Sequence, residues 1–173
     1  MMAENHNLMR FFTPRHKAYI DALLERSLRY YGGRLTSLAV FGSYARGENR
    51  KTSDLDLLLV LREAPKPSAR IAEFVDAVEM PTEALGQALY QQDGILCEPS
   101  PYILTEEEAR TMQPIYYDLV EHHVIVADTA DFLATVLAAA RAWMQSVDAR
   151  CVRRNNTNEW QTKRVGFPGG VRL

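Results

Sequence analysis

Cysteine is scarce in this chain: Cys97 and Cys151 are the only two in 173 residues. They have neither the density of a disulfide scaffold nor the close spacing of a zinc knuckle, so both are expected to be reduced and buried. Histidine is scarce too, and of the four only His122 and His123 are adjacent. Neighbours on an extended segment point to opposite faces, which argues against a zinc site. Long apolar runs are missing, none approaching the roughly 18 residues of a membrane span. Met1 to Arg10 hold acidic and polar residues where a leader would need a basic patch and an apolar stretch. The expectation is a cytoplasmic protein with no membrane partner. A dominant charge sign is lacking as well: the formal net charge is −2, which gives no global attraction to nucleic acid. The distribution is less even, because from Arg141 onward seven cations face two acids. Such a tail is either a solvated surface or a patch for RNA or a partner protein.

What is present suits one ordinary domain. Hydrophobic residues make up 47% and charged residues 24% of the chain, enough for a core without staples. The core is expected over about residues 14–128, with a C-terminal helix and basic tail over 129–173. Thr13-Pro14 reads as an N-cap followed by proline at the first helical position, and apolar residues then recur at helical spacing to Gly32-Gly33. Leu35 to Phe41 is a nearly continuous β-prone run with no polar face, which suits a strand covered on both sides. Asp54 to Leu61 is a second strand. Ile71, Phe74, Val75 and Val78 mark a helix whose solvated side carries Arg70, Glu73, Asp76 and Glu79, and Pro81 should break or kink it. Ile95 to Leu104 reads as a third strand interrupted by Pro99 and Pro101, which keep at least part of it at a sheet edge or create a bulge. Thr105 and Glu108 form a capping box. His123 to Val126 is a short strand, Phe132 to Met144 an amphipathic helix, and the ending is irregular, with the tail packing back on the domain.

The chemistry is concentrated in Phe41-Gly42-Ser43-Tyr44-Ala45-Arg46-Gly47 and Ser53-Asp54-Leu55-Asp56-Leu57, with ten residues between Gly-Ser and Asp-x-Asp. Residues two apart on a strand share a face, so the Asp54 and Asp56 carboxylates should lie side by side, with their Cα atoms about 7 Å apart. Paired carboxylates offer hard oxygen ligands for Mg²⁺, and a cation relieves their repulsion. A strand that ends in glycine and turns into a helix exposes N–H groups to phosphate oxygens. Ser43 adds a hydroxyl, and Arg46 either reaches the same phosphates or braces the turn. Alone, Gly-Ser is a plain turn, and Asp-x-Asp is a solvated strand end or a pair held by arginines; the spacing joins them.

Together these residues resemble the signature of the minimal nucleotidyltransferases of the DNA polymerase β superfamily. That resemblance implies an α+β fold, a small mixed sheet backed by helices, here with a C-terminal helical extension. It also implies two-metal transfer of a nucleoside monophosphate from an NTP, with pyrophosphate leaving. Asp54 and Asp56 would be the shared ligands of two Mg²⁺ ions, and Gly42, Ser43 and Arg46 would hold the triphosphate. The third carboxylate such enzymes carry on the next strand would be Glu98, as ligand or general base. Glu106, Glu107 and Glu108 fit that role less well, because the capping box places them at a helix N-terminus.

The stretch Ser100 to Glu107, with Pro114 to Val120 and Ile125 to Asp128, is similar to stand-alone nucleotidyltransferases encoded beside HEPN-domain proteins. For those the resemblance implies an antitoxin that adds AMP from ATP to a HEPN toxin or blocks it by binding; some relatives modify tRNA ends. The alternatives are an aminoglycoside-type nucleotidyltransferase, for which the chain is short, and a weakly active nucleotide- or partner-binding module. Tyr102, Tyr116, Tyr117, Trp143 and Trp160 are read as core rather than base-stacking residues. The oligomeric state, a homo-oligomer included, stays open.

Overall fold

Thr13 opens the first helix, α1 (Pro14–Tyr31): its hydroxyl accepts from the His16 N–H at 3.1 Å, and Pro14 fills a position that needs no N–H donor. The computed structural model describes residues 9–154, 157–161 and 171–173. After α1 the chain enters β1 (Leu35–Val40), buried at every position, and the four-residue helix α2 (Gly42–Ala45). β2 (Leu55–Leu61) returns antiparallel to β1. β3 (Pro99–Thr105) lies parallel to β2, and β4 (Val124–Asp128) antiparallel to β1, so the mixed sheet has the order β3-β2-β1-β4.

Strand alternation splits the interior into two layers. Leu55, Leu57, Leu59 and Leu61 join Leu38 and Val40 in a core shared with α1. Leu58 and Val60 join Ala39 in a second core on the other face. Because both faces of β2 are apolar beyond its first residues, hydrophobic burial pins its register, and Asp56 is held near the strand's open end.

The connection from β2 to β3 is helical. α3 (Pro67–Phe74) passes through a wide π turn, Val75–Glu79, into α4 (Met80–Asp93). The break expected at Pro81 takes the form of this wide turn, which lets the helical course continue past a residue with no N–H to donate. The expected helix face is also rotated: Ile71 is 43% exposed, whereas Arg70 is buried. Arg70 donates to the Pro65 carbonyl at 2.6 Å, the Ile103 carbonyl at 3.0 Å and the Glu108 carboxylate at 2.6 Å. Satisfying the guanidinium on every side outweighs the burial of one isoleucine.

β3 begins at Pro99 rather than Ile95, and as the edge strand it has N–H positions that no neighbour needs, which accommodates both prolines. The Thr105–Glu108 capping box forms reciprocally, at 2.8 and 3.2 Å, and starts α5 (Glu106–Ala109). α6 (Tyr116–Leu119) and α7 (Phe132–Ser146) cover the second core. The ending, expected to be irregular, includes a hairpin of β5 (Arg150–Arg154) and β6 (Thr157–Gln161). Its pairing depends on cross-strand partners such as Cys151 and Trp160, which no local periodicity announces. Cys151 is exposed on this two-stranded ribbon, not buried as expected, while Cys97 is buried. The last residues return to the domain: Met112 donates to the Val171 carbonyl at 2.8 Å, and Leu173 donates to Arg110 at 2.7 Å. Lys163 and Arg164 of the basic tail lie outside the described residues. Trp160 stacks near Tyr117 with ring centres 5.4 Å apart, and Tyr116 is wholly buried. Among the described residues no helix is long and apolar enough to cross a membrane.

Candidate active site

The turn after β1 is tied to β2 by its own backbone, since the Phe41 N–H donates to the Asp56 carbonyl at 3.0 Å. Gly42 follows with φ +66°, a left-handed conformation that costs glycine little. A Cβ at this position would lie 2.0 Å from Asp56 Oδ2 and 2.9 Å from its Cγ. The absent side chain is therefore the space that the Asp56 carboxylate occupies. Ser43 is half-buried at the start of α2, whose leading N–H groups have no acceptor within the helix.

Asp54 stands one residue before β2 and is exposed; Asp56, two residues on, is half-buried. Burial pushes the Asp56 carboxyl above the ordinary carboxylate range. A hydrogen bond with Ser100 opposes this, the nearby charges of Asp54 and Asp118 add to it, and Arg46 again opposes it. The two carboxylates of the Asp-x-Asp element thus meet in one field, with an incompletely neutralised negative charge. Arg46 does not point freely at this space. Its guanidinium donates to both oxygens of Asp118, at 2.9 and 2.7 Å, and to Glu48 at 3.2 Å, so it braces α2 against α6.

Glu98 lies just before β3 rather than on it. Its carbonyl accepts from the Leu55 N–H at 2.8 Å, which sets its backbone beside the Asp-x-Asp strand. Its side chain is exposed and lines a cavity between α1 and α4, where its charge acts on Glu79 and Tyr19. Among the described residues no three His, Cys, Asp or Glu side chains are grouped closely enough to cage a metal, whereas the charge of Asp54 does act on Asp56.

Sequence reasoning did not single out Ser100 or Asp118 for the site. Ser100 is opposite Asp56 in the parallel register, and once that register is known strand parity identifies it. Asp118 arrives from α6 with no spacing signal at all.

A buried polar chain beneath the turn was equally invisible. The Phe12 N–H donates to His16 Nδ1 at 3.3 Å, which leaves Nε2–H to donate to the Tyr44 oxygen at 2.9 Å. The Tyr44 hydroxyl then donates to Cys97 Sγ at 3.1 Å. Burial lowers the His16 pKa, partly opposed by Asp93, and raises the Cys97 thiol to about 11. Because folded His16 resists a proton that the unfolded chain accepts, its contribution to stability is present above the ordinary value near 6.5 and is lost as pH falls through the lowered folded value. Tyr44→Phe should cost about 1–2 kcal/mol by orphaning two buried partners. Urea unfolding of this variant at neutral pH checks the loss, and wild-type stability that does not decline on acidification through the histidine range would contradict the neutral His16.

The profile described as a nucleotidyltransferase domain matches residues 20–128, which contain the Gly42 turn, Asp54, Asp56 and Glu98. The chain belongs to the nucleotidyltransferase domain family. Three proteins of Methanocaldococcus jannaschii, named as inferred protein adenylyltransferases, are similar over shorter stretches. One is 50% identical over 32 residues, or 18% of this chain and 37% of the relative. A second is 40% identical over 47 residues, 27% and 32% of the two chains, and a third 38% identical over 53 residues, 31% and 51%. The chain thus spans between a third and a half of the length of the curated relatives it matches. Among solved structures, spectinomycin adenyltransferase AAD(9) from Enterococcus, with ATP and spectinomycin, shares the fold. Its TM-score is 0.53 at 12% identity, over 76% of this chain and 66% of that one. A toxin–antitoxin structure with AMP-PNP aligns over 76% of this chain and 92% of its own, at 15% identity and a TM-score of 0.42.

Proposed function

We propose that this nucleotidyltransferase uses Mg²⁺ to move AMP from ATP to a hydroxyl of a protein or RNA acceptor in the cytoplasm, the protein case being the antitoxin of a HEPN toxin pair. The observation that carries the reading is the contact of Gly42 with the Asp56 carboxylate, which brings the Gly-Ser turn and the acidic pair to one point. The names of the Methanocaldococcus relatives support the adenylyl group.

The donor set suits a hard divalent cation. Asp56 is a partly desolvated carboxylate whose charge is raised in cost by its neighbour Asp54, and such ions are commonly bound by one or two carboxylates together with substrate phosphates. Asp54 and Asp56 would hold Mg²⁺, which would polarise the phosphate oxygens and offset charge at the attacking and leaving oxygens. Ser43 and the leading N–H groups of α2 hold the triphosphate. Arg46, fixed by Asp118, keeps the turn in place rather than gripping phosphate. Glu98 accepts the proton of the acceptor hydroxyl. The acceptor oxygen then forms a bond to the α-phosphorus, the bond from that phosphorus to the bridging oxygen breaks, and pyrophosphate leaves with the electron pair.

The test is to purify the chain with a co-expressed HEPN-domain protein, add α-labelled ATP and Mg²⁺, and follow label and intact mass. A mass gain of one or more AMP units on the partner is the expected result for a protein acceptor, and label on co-purified RNA for an RNA acceptor. A stable complex with label on neither would refute transfer and leave a binding module.

A further inference from the structure

Apart from Glu98 at its edge, the cavity between α1 and α4 is not used by the nucleotide chemistry. It encloses about 410 Å³, within the range of small-ligand sites, and opens beside the Asp-x-Asp strand because Glu98 forms part of its wall. Three carboxylates, Glu79, Glu83 and Glu98, face it, and its lining contains no lysine, arginine or histidine. Among the described residues none of the three forms an ion pair; Glu83 accepts only from the Gln87 amide, at 2.9 Å. Burial and the charges of Glu98 and Glu83 push the Glu79 carboxyl above its ordinary range, the mark of uncompensated negative charge.

A second observation is independent of the acids. Tyr19 is only 5% exposed and lines the same cavity, yet among the described residues its hydroxyl has no hydrogen-bond partner. The ring end lies against the wall at Gly86, where an added Cβ would be 3.2 Å from its oxygen. The ring is buried but its hydroxyl reaches the cavity surface, where a ligand can bond to it. Around the opening, Met80 and Tyr90 are 57% and 59% exposed and Leu96 is 42% exposed. An apolar rim of this kind, standing out into solvent around a polar floor, suits the surface of a protein better than a small polyamine or a phosphate backbone.

We propose that this cavity is the acceptor subsite and that it takes the lysine or arginine side chain of a protein segment whose neighbouring hydroxyl receives AMP. The inference rests on the transfer reading above and narrows its acceptor to a basic protein segment. The cation pairs with Glu79 and Glu83, the Tyr19 hydroxyl bonds to the segment, and the aliphatic stem packs on the rim. Glu98 stands where this cavity meets the aspartates, so a hydroxyl one or two residues from the anchored cation is presented to the reacting phosphate.

The probe is a fluorescein-labelled peptide with one tyrosine flanked on each side by two lysines, its binding followed by anisotropy at low salt without nucleotide. Glu79→Lys with Glu83→Lys should weaken binding at least tenfold, and Glu79→Gln with Glu83→Gln by a smaller factor in the same direction. Tyr19→Phe should weaken it severalfold. In transfer assays the glutamine pair should raise KM for the peptide while leaving kcat and ATP affinity unchanged. Asp56→Asn should keep the peptide affinity while losing transfer, which separates failure of the subsite from failure of the chemistry. Unchanged peptide affinity in both charge variants overturns the proposal, as does tighter binding of an oligoribonucleotide or of spermine than of the peptide.

Discussion

Asp56→Asn should reduce AMP transfer about 10³-fold, a loss of about 4 kcal/mol in transition-state stabilisation, while leaving the fold intact. The amide keeps the shape of the carboxylate and its place against Gly42 but removes the charge that the cation needs. Stability should move the other way. Because the folded pKa of Asp56 is raised, chiefly by burial, its favourable contribution is full below the ordinary carboxylate value and is lost as pH rises through the folded one. At neutral pH the ionised group therefore opposes folding, and the asparagine variant should melt at or above the wild-type temperature. The difference should shrink on acidification. Millimolar Mg²⁺ should raise the melting temperature of the wild type and leave that of the variant nearly unchanged, since a ligand stabilises only the state that binds it. Turnover within tenfold of wild type would falsify the assignment of Asp56 as a metal ligand.

Gly42→Ala should be nearly as damaging to transfer, about 10²-fold or more, through geometry rather than charge. Its new methyl would need the space now filled by Asp56 Oδ2, at 2.0 Å, so the carboxylate has to swing away from both the turn and its Ser100 partner. The aspartate is too short to absorb this by flexing at its tip. Alanine at φ +66° also costs about 1–2 kcal/mol in backbone energy, a loss that urea unfolding measures directly. Kinetics should then show kcat falling more than ATP affinity, because the turn still carries its N–H groups while the acidic pair is misaligned. A Gly42→Ala protein with wild-type kcat would mean that the close approach of turn and carboxylate has no part in the reaction.

Both variants probe a contact between residues 14 apart, and the way each became legible differs. The amino-acid order alone determined the local units: the Thr13 cap, the β-prone run of β1, the run of β2 and the Thr105–Glu108 box, each written in a few consecutive residues. It also determined that two acids share a strand end after a Gly-Ser turn, because strand parity is a property of spacing. Tertiary structure decided everything that depends on partners brought from far along the chain. Arg70 turned inward because carbonyls and a glutamate met it there, and Arg46 became a brace because Asp118 arrived on α6. Ser100 faced Asp56 only through the parallel register, and Glu98 joined the α1–α4 cavity because β3 starts at Pro99. Periodicity reports which face of an element is apolar, whereas the pairing of charges and the opening of the Tyr19 hydroxyl onto the cavity follow from which faces are packed together. That packing is a balance of burial and polar satisfaction over the whole domain, so no single segment encodes it.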